Sequence, residues 1–334
     1  MTLTPTAALP IVPGNAISLT QAAVLAQGVV LTGTQPAKLD QVAWAPDGQL
    51  AAAGAAGVLF AQGDTLTATH GYTMGVWVPS LSFSTDNRAL ALSSVGGTVR
   101  LFNRQDGALM FQLVQPNLRV AQVRYRPGPP GVLAQYLASL GGDNIVYLWD
   151  VAYKKFLGVL KPGLSSADAL EISGDGRWLA AASGNAVVVW DMDALRPEGW
   201  TTPPAPALTL SQDGAVTALA LSQNGLWLAA ANANGTIALW VLPAGVMVTR
   251  LAQLEAPAQR LAFSPDGQVL ASAHGDNRIR LWGWAVVSQN NEPAVTLTGH
   301  TARITSLAFS PDGSVLASSS WDGTVREWAV GGGQ

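Results

Sequence analysis

The sequence predicts an all-β chain in which one four-stranded unit is repeated around a ring, and three observations carry this. First, "LAFSPDGQVLAS" (Leu261 to Ser272) returns as "LAFSPDGSVLAS" (Leu307 to Ser318), eleven letters of twelve matching at an offset of 46 residues. Second, five weaker copies come before the pair: "VAWAPDG" ending at Gly48, "LSFSTDN" at Asn87, "VRYRPGPPG" at Gly131, "LEISGDG" at Gly176 and "LALSQNG" at Gly225. From Gly48 to Gly313 the mean step is near 44 residues. Third, apolar residues alternate with a period of two between Gly, Pro, Asn and Asp turn signals, which reads as strands. Helical spacing is confined to "NAISLTQAAVLAQ" near the N-terminus. Four-stranded units of this length are blades of a β-propeller. A solenoid fits poorly, because its repeats are shorter and lack an internal hairpin.

Each copy has the same interior order. An alternating strand comes first, as in Ile304, Leu307 and Phe309, and then the turn Ser310-Pro311-Asp312-Gly313. Pro presets φ at the second turn position, and Gly supplies the left-handed conformation that closes the hairpin. A strand of small residues follows ("SVLASSS"), then a tight "DG" turn, then a third strand ending in an aromatic. That aromatic is Phe60, Phe102, Trp149, Trp190, Trp240, Trp282 or Trp328. A fourth, less regular strand leads into the next copy. Seven copies predict seven blades of four antiparallel strands.

The last copy stops after its third strand, near Val330, while a spare strand, "VVLTGT" (Val29 to Thr34), precedes the first. The N-terminal strand is therefore expected to complete the last blade and remove an unpaired sheet edge. The predicted organisation is a Pro-interrupted tail over 1–21, the propeller over 22–330 and a short tail over 331–334.

Composition sets limits on function. The 334 residues are 49% hydrophobic and only 12% charged, against about 25% charged in an ordinary soluble domain. The formal net charge of -3 is spread without basic blocks, so no nucleic-acid footprint is expected. Without cysteine there is neither a disulfide framework nor a thiolate metal site. No uninterrupted apolar run of about 18 residues predicts a membrane span, and the first residues lack a signal peptide's basic start. The chain is read as a soluble monomer, cytoplasmic or exported, with no compartment specified.

The copies resemble WD40 repeats from about Val29 to Val330. The most faithful is the last, with Gly299-His300, "LAFSPDG", Ser318, Asp322-Gly323 and Trp328. The resemblance implies that His300, Ser318, Asp322 and Trp328 form a hydrogen-bonded brace within the blade. Asp143 and Asp276 keep the turn acid in other copies, Asn234 weakens it, and Gly96 and Gly184 lose it. No other copy has the histidine in that place, so most blades are expected to rely on apolar packing. Short loops and few lysines suit a stand-alone bacterial propeller.

Candidate chemistry is sparse. His70, His274 and His300 are not at metal-ligand spacing, and they read as a loop residue, a turn residue and the brace. There is no phosphate-binding G-x-x-x-x-G-K-[ST] and no G-x-S-x-G nucleophile elbow. Asp47, Asp175, Asp266 and Asp312 are explained by turn chemistry. No catalytic residue, metal or cofactor is assigned. Arg124 and Glu171 stand where other copies have Ala43, Ser82, Ala220, Ala262 and Ala308, on the innermost strands of blades 3 and 4. They read as a structural ion pair at the channel wall, although equivalent strand positions pointing the same way around the ring could keep them apart.

The resemblance further implies that Trp321 lies on the top face, with Lys38, Asp40, Trp77, Arg119, Asp168, Gln259, Arg303 and Thr305 around the same rim. Aromatics and Arg are enriched at binding hot spots. The expected function is a non-enzymatic scaffold that binds a protein or peptide there. The alternative is a propeller enzyme, or a binder of a small ligand or metal, working at the channel mouth with Asp40, Asp168, Glu171 and Arg124.

Overall fold

The computed structural model describes residues 30–33, 38–55, 57–62, 65–68, 72, 75–114, 119–128, 136–163, 169–195, 200–251, 253–283 and 292–330. The possible N-terminal helix, the tails 1–21 and 331–334, His70 and Asp168 lie outside these residues.

The described strands form a seven-bladed propeller with four strands to each blade. The innermost strands run, from blade 1 to blade 7, over Leu39–Trp44, Leu81–Phe83, Val120–Tyr125, Leu170–Ile172, Val216–Leu221, Ala258–Phe263 and Ile304–Phe309. Each is in contact with the next around the ring, and the seventh with the first. In every blade the second, third and fourth strands follow outward, all antiparallel. The only helix among the described residues is a 3-10 turn, Met192–Ala194, and none is long and apolar enough to cross a membrane.

The second strands show why small residues recur. Leu50–Gly54, Ala89–Ser93 and Val269–His274 are buried at every position. A blade is covered on both faces by its neighbours, so a strand in its middle has no solvent side, and Ala or Ser lets the next sheet approach closely. The apolar side chains accordingly gather into seven clusters, one at each blade-to-blade interface. The aromatics that end the third strands all lie in these clusters, with Trp190 and Trp282 only 1% exposed.

The hairpin between first and second strands is built the same way in most blades. A serine hydroxyl donates to the carboxylate or amide oxygen two residues on, as in Ser84 to Asp86 (2.6 Å), Ser222 to Asn224 (2.7 Å) and Ser310 to Asp312 (2.6 Å). The same hydroxyl accepts the backbone N–H five residues on, as Ser310 does from Val315 (2.9 Å). The closing residue has positive φ: Gly313 at 75° and, in the second blade, Asn87 at 62°.

The ring closes as expected. Val30–Gly33 pairs antiparallel with Thr324–Ala329, Val30 opposite Arg326 and Thr32 opposite Thr324. The other edge of this strand is also occupied: Thr32 and Gly33 pair in parallel with Thr65 and Leu66 on the outer strand of blade 1. Blades 7 and 1 thus form one eight-stranded sheet. The sequence pattern did not anticipate this second pairing, which covers backbone groups an outermost strand would otherwise leave free.

In blade 7 the indole N–H of Trp328 donates to Ser318 Oγ (2.9 Å), Ser318 bonds His300 Nε2 (2.8 Å), and His300 Nδ1 donates to Asp322 Oδ2 (2.8 Å). Blade 6 corrects the expectation for His274. It is not a turn residue but the last residue of the second strand, 2% exposed. Its Nε2 bonds Ser272 Oγ (2.8 Å), which accepts from Trp282 (2.7 Å), and its Nδ1 donates to Ala256 O (2.8 Å). Here the histidine reaches the Ser–Trp pair from two residues along the same strand, and Asp276 pairs instead with Arg280 (2.7 Å). Blade 3 has the Trp149 to Ser139 bond (3.0 Å).

Candidate partner-binding face at the channel mouth

Strand direction defines two faces. Every innermost strand starts at one rim, so the loops entering it and the hairpins between second and third strands share that rim. In five blades the start of this strand carries a β-bulge, at Asp40, Ala121, Thr217, Gln259 and Thr305. A bulge leaves one residue out of the ladder and re-aims its side chain. The candidates Asp40, Gln259 and Thr305 occupy these positions.

The structure brings five of the predicted residues together at the mouth. Trp77 and Trp321, each 39% exposed, lie on either side of Asp40. The Trp77 indole N–H donates to Asp40 Oδ2, and that of Trp321 approaches Oδ1 at 3.5 Å. Lys38 Nζ lies 4.9 Å and the Arg303 guanidinium 5.2 Å from the centroid of the Trp321 ring. Contacts of this kind contribute about 0.5–1 kcal/mol each at exposed sites. Trp321 itself is held in a turn by its N–H to Arg303 O (3.0 Å) and by Gly323 at φ 81°. Arg119, exposed, lies across the mouth, and Gln259 lines the wall.

Thr305 corrects its expected role. It is 3% exposed, and its hydroxyl donates to Leu39 O (2.7 Å) and bonds Ser319 Oγ (3.0 Å). It ties blade 7 to blade 1. Similar ties run around the ring: Leu81 N to Gln41 Oε1 (2.8 Å), Leu170 N to Gln122 Oε1 (2.7 Å) and Thr217 Oγ1 to Ala258 O (2.6 Å).

Below the mouth the innermost strands enclose a cavity of about 1170 Å³. Arg124 and Glu171 meet on its wall in a two-pronged ion pair, Nε to Oε2 at 3.1 Å and Nη2 to Oε1 at 2.7 Å. The shared strand direction does not separate them, because the long arginine side chain spans to the next blade. Burial opposes the Arg124 charge, but Glu171 more than compensates and holds the guanidinium above its ordinary value.

Arg260 was not anticipated. It lines the same cavity one residue pair higher, in the register held by Gln41, Gln122, Ala218 and Ser306 in other blades. Its Nε donates to Thr305 O and its Nη1 to Gln259 O. Burial, with Arg303 pushing the same way, pulls its guanidinium down to about 10. The signal was available in the sequence: a lone charge on an innermost strand, like Arg124. Among the described residues no group of three or more His, Cys, Asp and Glu side chains could hold a metal ion.

Comparison with known proteins agrees with this architecture. The family model for the WD domain, G-beta repeat, matches residues 205–241, 251–283 and 291–329. Each match ends with the third strand of a blade, and the first and third begin just before the outer strand of the preceding blade. The small ribosomal subunit protein RACK1 of Caenorhabditis elegans is 30% identical over 153 residues, 41% of this chain and 45% of that protein. The chain thus matches less than half of that relative's length. Three repeats match the WD domain family directly and all seven blades share one strand order, so the chain is a seven-bladed β-propeller carrying WD40 repeats.

Proposed function

We propose that this propeller is a non-enzymatic scaffold that binds a protein or peptide on the rim where its innermost strands begin. The carrying observation is the cluster of Trp77, Trp321, Asp40, Lys38 and Arg303: two half-exposed indoles held rigid around one carboxylate, with two cations stacked on Trp321. Rigid aromatics offer large contact area with little entropy left to lose, and Trp and Arg dominate interface hot spots. WD40 propellers typically mediate protein interactions, and the likeness to RACK1 supports a scaffold in general terms. Two of the acids named for the enzymatic alternative are engaged, Asp40 by the indoles and Glu171 by Arg124. The scaffold acts as a monomer, since the ring satisfies its own strand edges at the seam.

The test is affinity capture with the chain as bait, followed by titration of each captured protein onto three purified forms. These are the wild type, the Trp77→Ala/Trp321→Ala double variant, and Tyr153→Ala, which removes a 79% exposed aromatic from the opposite rim. Losing two hot-spot residues of about 2 kcal/mol each, about 4 kcal/mol together, weakens binding by several hundredfold. Tyr153→Ala binds as the wild type does. Partners that bind all three forms equally place the interface elsewhere.

A further inference from the structure

The charged side chains lining the cavity are Asp40, Arg119, Arg124, Glu171 and Arg260, three cations against two acids in a chain whose formal net charge is -3. Both acids are already committed, Glu171 to Arg124 and Asp40 to the indoles. Arg260 is different. Two of its nitrogens reach backbone carbonyls, but among the described residues Nη2 has no hydrogen-bond partner and no carboxylate lies within ion-pair distance. Beside it, among the described residues, the Oε1 atom of Gln259 is buried without a partner. A guanidinium that lines the channel with no carboxylate in ion-pair contact has donor capacity left for an anion.

We propose that the propeller channel is a binding site for a small oxyanion ligand, a molecule bearing a phosphate or carboxylate group that Arg260 receives. The guanidinium presents its unused edge to the cavity, in the fork geometry suited to a planar or tetrahedral oxyanion. The two carbonyls of Thr305 and Gln259 hold that fork in place before any ligand arrives. At about 1170 Å³ the cavity exceeds the ordinary volume of a small-molecule pocket, roughly 300–1,000 Å³, so a metabolite-sized body fits with water to spare. The site is independent of the rim reading: it needs neither Trp77 nor Trp321.

Inorganic phosphate and succinate are the probes, titrated by calorimetry and thermal shift in a chloride buffer, with added chloride at matched ionic strength as control. The wild type gives a saturable response to at least one probe and none to chloride. Arg260→Gln weakens that response about tenfold or more, as loss of a charged hydrogen-bond pair requires. Arg260→Lys keeps the charge but loses the fork, and its affinity falls between the two, which carries the test should the glutamine variant not fold. The Trp77→Ala/Trp321→Ala variant binds the probes as the wild type does, so failure at the rim and failure in the channel are distinguishable. No saturable response of the wild type to either probe, or an equal response in Arg260→Gln, overturns the proposal.

Discussion

Replacing His300 by alanine tests whether the blade 7 brace is energetically real. The imidazole side chain is fully buried and Asp322 is 8% exposed in its side chain, so water cannot replace what the ring provides. The substitution removes a 2.8 Å bond to an ionised carboxylate and a 2.8 Å bond to Ser318. A hydrogen bond to a charged group contributes about 1.5–3 kcal/mol and a neutral one about 0.5–1.5 kcal/mol. Asp322 keeps Thr324 Oγ1 (2.6 Å) and two backbone donors, and Ser318 keeps Trp328, which holds the loss toward the lower ends of these ranges. The expected cost is about 2–4 kcal/mol once the space left by the ring is included. Unfolding entropy of about 2.1 cal/mol/K per residue over 334 residues amounts to about 0.7 kcal/mol/K, so Tm falls by about 3–6 °C. Differential scanning calorimetry at pH 7.5 measures it. A shift below about 1 °C refutes the reasoning, because the buried carboxylate would then have found other partners at no cost.

The remaining predictions follow from the seam and from titration. Deleting residues 1–34 strips the strand paired to Thr324–Ala329 and exposes a ladder edge, so that fragment aggregates or exchanges strands on size-exclusion chromatography; deleting 1–14 leaves a monomer, and a monomeric, cooperatively folding 35–334 fragment refutes the closure argument. Burial lowers both His274 and His300 below their usual 6.5. Each histidine therefore stabilises fully above pH 6.5 and loses its contribution as the pH falls through its lower folded value, where the unfolded chain binds the extra proton. The denaturation midpoint stays level from neutral to mildly alkaline pH and declines below about 6.5, less steeply in the His300→Ala variant. A midpoint independent of pH between 7 and 5 shows the imidazoles to be solvated.

How much of this could be read from the letters depended on whether a feature repeats. The hairpin turns, the small-residue second strands and the terminal aromatics recur seven times, and repetition made their period and role visible. The completing strand was legible because "VVLTGT" precedes the first copy as "VTLTGH" precedes the last. Features that occur once were harder. His274 does in blade 6 what His300 does in blade 7, but from a different place in the chain, so alignment of the copies hid it. Arg260 showed in the sequence as a lone charge on an innermost strand, and the register places its side chain at the cavity. Thr305 has the position of a rim residue, but the bulge at its own site turns the hydroxyl inward to Leu39. Sequence position specified the rim; backbone irregularity decided who stands on it. In the same way nothing in "KFLGVL" announces that Gly158 is kept free of a Cβ by Trp200, whose indole would lie 2.5 Å from one.

The antiparallel pairing at the seam also fixes how the molecule responds to force. Val30 lies opposite Arg326 and Thr32 opposite Thr324, so the chain enters and leaves at the same end of that ladder. A load drawn between the two ends pulls the pair apart one hydrogen bond at a time, as a zipper opens, rather than shearing all of them together. Anchoring the protein by its termini would open the ring at low tension and expose the edge of Thr324–Ala329. Anchoring it through the rim loops spreads the same load across whole blades.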